Sequence, residues 1–150
     1  MTKIPYSALT LGLAGLIPFF WGTATSLGFG LENYRLNWLN DRYTGASINL
    51  TYGTVILAFM SGVLWGFASN TSDKRRPIGL ILSILPALWA FFTFQGLLSN
   101  PFVGLIIGFL GVFVIDVRFY YWRMTPDWWL SLRTILTLFV IICLSVNLGW

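Results

Sequence analysis

Charge is what this sequence most conspicuously lacks. Lys, Arg, Asp and Glu together make up 9% of its 150 residues, whereas a soluble domain usually carries about 25%. Apolar residues make up 57%. So few charged residues cannot cover a surface that faces water, so we expect lipid to surround the chain. The length allows one domain.

Histidine is absent, and Cys143 is the single cysteine. One cysteine excludes a disulfide-stabilised secreted scaffold, and within an apolar run Cys143 is interpreted as a small packing residue. The sequence has no zinc-ligand spacing, phosphate-binding loop or nucleophile–base pair, and no charge near the centre of an apolar run. We therefore predict a protein that is not an enzyme, with no catalytic, metal-binding or cofactor-binding residue.

Five apolar runs approach the roughly 20 residues that a helix needs to cross a bilayer. They cover residues 5–30, 45–69, 77–98, 101–120 and 130–148. The runs are continuously apolar and do not alternate, which favours helices over the strands of a barrel. The fourth run is short: from Pro101 to Ile115 it rises only about 22 Å, so it must extend toward Tyr120 or thin the bilayer. The predicted fold is an all-α integral membrane bundle of about five transmembrane helices.

Two features interrupt this simple pattern. Pro18 and Pro86 lie near the middle of the first and third runs, where each is expected to bend its helix. A static packing kink is favoured over a hinge or a cavity between the two. Residues 31–44 are polar with aromatic interruptions, and this segment fits an interfacial amphipathic helix and a plain loop about equally well.

The cations are distributed unevenly about the five runs. Seven lie on the side of the N-terminus and two on the opposite side. The positive-inside rule therefore predicts that the N-terminus is inside and the C-terminus outside. Because the cations lie beside apolar runs, the net charge of +4 is interpreted as an orientation signal, and no nucleic-acid partner is expected.

Small residues recur at short spacing in three of the runs. They are Gly12 and Gly15 in the first, Ala58, Gly62 and Gly66 in the second, and Gly104 and Gly108 in the fourth. Small residues let helix backbones approach closely in lipid. We predict that these stripes make helix contacts within the chain, with a subunit interface as the alternative.

The polar side chains gather at the predicted inner interface. They are Asp73, Arg75, Arg76, Asp116, Arg118, Asp127 and Arg133. We hypothesise that Arg133 pairs with Asp116 or Asp73 and so clamps helices together. The alternative is a docking surface for a partner or for anionic lipid headgroups.

Tryptophan is abundant, with eight residues. Most lie where interfacial aromatic belts belong, but Trp21, Trp65 and Trp89 lie deeper. These three are the candidates for lining a pocket for an apolar ligand between kinked helices, although ordinary core packing is favoured.

Three stretches carry a resemblance to a known family. The first is Leu11-Gly12-Leu13-Ala14-Gly15-Leu16-Ile17-Pro18-Phe19, the second Tyr52-Gly53 followed by Ile56-Leu57-Ala58-Phe59-Met60-Ser61-Gly62-Val63-Leu64-Trp65-Gly66, and the third Pro126-Asp127-Trp128-Trp129 with Leu132-Arg133 and Leu136-Thr137-Leu138. With these stretches the sequence resembles the transmembrane protein 69-like family (domain of unknown function 3429). The resemblance implies a bacterial or mitochondrial inner membrane.

The functional expectation follows from the missing chemistry and the small-residue stripes. We predict a non-enzymatic accessory or assembly subunit of a larger inner-membrane complex, whose partners are membrane lipid and other integral membrane subunits. The alternative is a protein that binds or transports an apolar ligand in a pocket between kinked helices.

Overall fold

The computed structural model describes residues 3–29 and 45–149, and within these ranges the chain forms helices and turns without a strand. Six helices follow one another in the order α1 Tyr6–Ala14, α2 Ile17–Ser26, α3 Gly45–Ser69, α4 Arg76–Phe94, α5 Pro101–Tyr121 and α6 Trp129–Ser145. The α1–α2 run, α3, α4 and α5 are long and apolar enough to cross a bilayer, and α6 is a shorter apolar helix of 17 residues. The predicted all-α membrane bundle is confirmed.

The first crossing is broken into two helices, where the sequence predicts one bent helix. α1 ends at Ala14 and α2 begins at Ile17. Pro18 has no N–H to donate to the carbonyl of Ala14, so the regular hydrogen-bond ladder cannot continue through this point. The Tyr52 hydroxyl on α3 donates to the Gly15 carbonyl at 3.1 Å, which satisfies a polar group that the break exposes.

The second proline, Pro86, stays inside α4. The next backbone N–H, that of Ala87, donates to the Ser61 hydroxyl on α3 at 2.8 Å. A side chain on the neighbouring helix thus replaces an acceptor within α4. At Pro86, where the sequence predicts a bend, the structure has a packed contact between α3 and α4.

The predicted end of the fourth run agrees with the structure to within one residue, and that of the third run does not. α5 runs without interruption to Tyr121, and α6 is the shortest of the crossings described. α4 ends at Phe94, and Gly96, with φ of 85°, turns the chain four residues before Asn100. The Asn100 side chain accepts hydrogen bonds from the first amides of α5, as an N-cap residue does.

The bundle is built around α3, which packs against α2, α4 and α5, while α6 packs against α5 and α2. Leu57, Leu64 and Leu105 are fully buried in the core. Large apolar side chains also cover the outside, such as Ile81 at 63% and Val114 at 67% exposure. Such a surface requires lipid around it. Residues 31–44, for which a helix or a loop was predicted, lie outside the described residues.

Candidate functional site

The most deeply buried charges in the described chain meet between α5 and α6. Arg133 Nε donates to Asp116 Oδ2 at 2.8 Å, and their side chains are 5% and 0% exposed. The other carboxylate oxygen, Asp116 Oδ1, accepts from Trp129 Nε1 at 2.7 Å. We call Asp116, Trp129 and Arg133 the ionic cluster.

The helices hold the ionic cluster in place for simple geometric reasons. Trp129 and Arg133 are four residues apart on α6, so their side chains lie on the same face of the helix. The Trp129 ring packs edge-on against Phe67 of α3, with 5.0 Å between ring centroids. The cluster therefore ties α6 to both α5 and α3. Separating such a buried pair by removing one partner costs about 3–5 kcal/mol in general.

The hypothesis from the sequence allowed two partners for Arg133, and the structure brings it to Asp116. Asp73 lies instead in the turn before α4, where its Oδ1 accepts from the Arg75 backbone N–H at 2.7 Å and lies 3.5 Å from Arg75 Nε. Asp73 therefore shapes a turn and does not take part in the ionic cluster.

The remaining charges of the predicted set form a separate, exposed basic face. The guanidinium groups of Arg75 and Arg118 lie 5.8 and 5.4 Å from the ring centroid of Trp122, within cation–π range. Arg76 and Asp127 are exposed at the starts of α4 and of the turn before α6. The N-cap residue of α6 is Trp128, and its side chain makes no cap hydrogen bond. The predicted set of seven thus divides into a buried pair and a solvated surface.

A cavity of about 420 Å³ adjoins the ionic cluster. Its walls come from α1, α2, α3, α5 and α6, and Arg133 and Thr137 contribute the polar part of the lining. Arg133 Nη2 and Thr137 Oγ1 are both buried and have no hydrogen-bond partner among the described residues. A polar side chain in this state is uncommon in a folded protein.

The three tryptophans predicted to line a pocket are not brought together. Trp21 and Trp65 are 40% and 47% exposed on the outside of the bundle. Trp89 donates its Nε1 hydrogen to the Gly104 carbonyl at 2.7 Å and lines an apolar groove of about 530 Å³ between α4 and α5. The structure does not bring the three tryptophans together in the predicted pocket, because α2 and α4 both pack mainly on α3.

The predicted small-residue stripes differ in the direction they face. Gly104 and Gly108 lie inside the bundle, and a Cβ at Gly108 would come within 2.5 Å of Leu57 and 2.8 Å of Trp89. A Cβ at Gly12 would lie 3.1 Å from Leu136 of α6, and Gly15 is partly buried at the break. These four glycines make helix contacts within the chain, as predicted.

The stripe on α3 faces outward, contrary to the favoured interpretation of the sequence. Ala58 is exposed, and a Cβ added at Gly62 or Gly66 would meet nothing within 4 Å. The inward glycine of α3 is Gly53, whose Cβ would lie 2.9 Å from Leu105. The spacing of four residues identifies one face of a helix, but in lipid both the inward and the outward faces are apolar.

A second buried polar group lies at the opposite end of the bundle and was missed in the sequence. Asn49 and Asn147 are fully buried. In the amide orientation that satisfies its neighbours, Asn49 donates to the Phe19 carbonyl at 3.1 Å and accepts from Asn147 Nδ2 at 3.0 Å. Thr23 Oγ1 lies 3.1 Å from the Asn49 amide, and Ser26 Oγ donates to Asn147 Oδ1 at 2.7 Å. We call Thr23, Ser26, Asn49 and Asn147 the amide cluster. The sequence signal for this cluster was the presence of two asparagines inside apolar runs.

A family model described as "Protein of unknown function (DUF3429)" matches residues 4–149. The chain belongs to this family. Transmembrane protein 69 of Mus musculus is 35% identical to it over 148 residues, which cover 96% of this chain and 56% of the relative. Transmembrane protein 69 of Xenopus tropicalis is 33% identical over 149 residues, covering 96% and 54%. The chain therefore spans about half the length of the curated relatives it matches. No solved structure matches it.

The DUF3429 membership confirms the resemblance seen in the sequence and the multispan membrane character of the chain. The stretches that carry the resemblance occupy distinct places in the fold. The third contains Trp129, Arg133 and Thr137, which form or adjoin the ionic cluster and the cavity. The second contains Gly62 and Gly66 on the outward face of α3.

Proposed function

We propose that this DUF3429 chain is a non-enzymatic accessory or assembly subunit of a larger complex in a bacterial or mitochondrial inner membrane. The observation that carries the proposal is the outward stripe of Ala58, Gly62 and Gly66. Larger apolar side chains flank it, among them Phe59 at 63% and Trp65 at 47% exposure. Helical spacing puts the three small residues between these two larger side chains, and we call this strip the groove on α3.

A lipid-facing helix gains nothing from glycine. Glycine lowers helix stability by about 1 kcal/mol relative to alanine, and lipid tails solvate a leucine equally well. Association of helices in a membrane, by contrast, depends on close packing at small residues. Inside this bundle Gly104 and Gly108 admit Thr93, Leu57 and Trp89 in this way. The groove on α3 is suited to receive a helix of another subunit.

The exposed basic face supports the proposed orientation. Exposed cations lie at the end of the bundle where α1 begins, namely Lys74, Arg75, Arg76, Arg118 and Arg123. The positive-inside rule places this end in the cytoplasm or matrix. Fusing a reporter enzyme that is active on one side of the membrane to each terminus tests this orientation. Equal reporter activity at both termini would contradict five crossings.

The subunit role is tested with leucine substitutions that fill the groove. Gly62→Leu and Gly66→Leu should leave the thermal stability of the isolated chain unchanged or slightly higher, since nothing lies within 4 Å of either site and leucine favours a helix more than glycine does. They should reduce co-purification of partner subunits from mild detergent by at least tenfold. Gly111→Leu is the matched control, because Gly111 is also open, but on α5. An isolated monomer from native membrane, or equal loss in the control, would contradict the proposal.

Binding of an apolar ligand is a second candidate function, supported by a separate observation. The cavity beside the ionic cluster has a volume of about 420 Å³, within the range of about 300–1,000 Å³ common for ligand sites. Saturable binding of an apolar probe by the purified chain tests this role. Uptake that rises only in proportion to probe concentration, as in an empty micelle, would contradict it.

A further inference from the structure

The cavity beside the ionic cluster combines an apolar wall with a polar end. The wall consists mainly of Leu11, Phe19, Ile56, Met60, Phe109 and Leu136. Leu11 is 73% exposed, and Phe59, which also lines the cavity, is 63% exposed. The mouth of the cavity therefore opens toward lipid between the first crossing and α3.

The polar end is made by two side chains that each keep one polar atom without a hydrogen-bond partner among the described residues. Arg133 and Thr137 are four residues apart on α6, so they lie on one face, and both line the cavity. Arg133 Nη2 and Thr137 Oγ1 are buried without a hydrogen-bond partner among the described residues. A buried donor left unpaired destabilises a fold. Both atoms have almost no accessible surface, so an acceptor within the cavity would remove that penalty for both groups once the two side chains turn toward it.

We propose that the cavity binds a neutral amphiphile whose carbonyl oxygen accepts hydrogen bonds from Arg133 Nη2 and Thr137 Oγ1. A carbonyl oxygen has two lone pairs and so serves both donors. The hydrocarbon tail lies along the apolar wall and leaves through the mouth into the bilayer. This inference rests on the ligand-binding role proposed above and specifies the headgroup.

The charge of the ionic cluster selects a neutral headgroup over an anionic one. Asp116 already compensates the positive charge of Arg133 through the 2.8 Å hydrogen bond to Nε. A carboxylate or phosphate in the cavity would add an uncompensated negative charge close to Asp116, which burial in a low-dielectric region makes expensive. Quinones and alkyl esters present a carbonyl oxygen without that charge.

The test uses the full chain in dodecyl maltoside, a detergent that has no carbonyl group. Decyl-benzoquinone is titrated while tryptophan fluorescence is followed, because Trp128 and Trp129 line the cavity and a bound quinone quenches them. We expect saturable quenching that methyl laurate reverses. Dodecane, which lacks an acceptor, and laurate, which is anionic, should displace the quinone much less effectively.

Thr137→Val isolates the headgroup contact. It removes the hydroxyl with little change in shape, and because that hydroxyl has no partner in the described chain, folding should be unaffected. The quinone dissociation constant should rise about tenfold, as expected for one lost hydrogen bond in a buried site. Thr134→Val is the matched control: Thr134 is exposed on the same helix and bonds only to the Leu130 carbonyl among the hydrogen bonds described, so affinity should not change.

The outcomes separate this inference from the role on which it rests. Absence of saturable quenching in the wild-type chain would overturn the ligand-binding role and the inference together. Saturable quenching that Thr137→Val leaves unchanged would overturn the inference alone, with a water molecule then satisfying the two donors. Stronger displacement by laurate than by methyl laurate would overturn the neutral headgroup.

Discussion

Both ends of the bundle bury polar side chains where helices meet, but the two ends satisfy these side chains with different chemistry. The amide cluster uses neutral groups that satisfy one another, with Asn49 and Asn147 paired at 3.0 Å. The ionic cluster uses a full charge pair, and one donor of Arg133 stays unpaired beside a cavity. Closed hydrogen bonding is typical of a structural joint, whereas the open donor is the group to which we propose that a ligand binds.

The largest effect is expected at the ionic cluster. Arg133→Leu leaves Asp116 buried without its cation, which should lower the free energy of unfolding by about 3–5 kcal/mol. Thermal unfolding in detergent measures this, with the exposed Arg118→Leu as control. Replacing both partners, in Asp116→Leu with Arg133→Leu, should recover most of the loss because no buried charge remains. If Arg133→Leu alone were as stable as the wild type, the pair of Asp116 and Arg133 would not be buried.

A smaller effect is expected at the amide cluster. Asn49→Leu removes a neutral amide together with its hydrogen bonds to the Phe19 carbonyl and Asn147 Nδ2, which should cost about 1–3 kcal/mol. Asn147 Nδ2 keeps its bond to the Cys143 carbonyl. The same thermal measurement applies, and Asn70→Leu, at an exposed position beyond α3, is the control. If Asn49→Leu destabilised the chain more than Arg133→Leu, the contrast between the two clusters would be reversed.

The smallest effect is expected when threonine is replaced by valine, once in the amide cluster and once beside the ionic cluster. Thr23→Val removes a hydroxyl that contacts the Asn49 amide at 3.1 Å and donates to the Cys143 carbonyl at 3.4 Å, so it should lower stability by about 1 kcal/mol. Thr137→Val removes a hydroxyl without a partner in the described chain and should leave stability unchanged or slightly higher. Paired unfolding curves in the same detergent decide this, and equal losses would mean that Thr137 is also bonded.

Much of the fold could be predicted because long apolar runs and prolines act locally. The five crossings followed from run length, and the interruption at Pro18 followed from its missing N–H. The pairing of Arg133 was narrowed to two carboxylates, but the choice of Asp116 over Asp73 depends on the tertiary position of α5 and α6. α5 ends at Tyr121, one residue beyond its predicted end, and Asp116 is buried inside the bundle.

The cavity and the direction of the α3 stripe could not be predicted. In water, an apolar face points inward, but in lipid a small apolar residue is tolerated on either side. Gly62 and Gly53 therefore look alike in sequence although they face opposite ways. The pocket was expected near Trp21, Trp65 and Trp89 because they are large, whereas the observed cavity exists where Gly12, Gly15 and the helix break leave room.

α1 has a kinetic consequence for that cavity. None of its nine residues is buried, and in the described chain its packing is chiefly against α6, so little apolar contact opposes its local opening. Its backbone amides should exchange with deuterium well before those of α5, which buries eight residues. We therefore expect α1, the least stable wall of the cavity, to open first. Its opening would let a molecule pass between the cavity and the bilayer while the other helices stay folded.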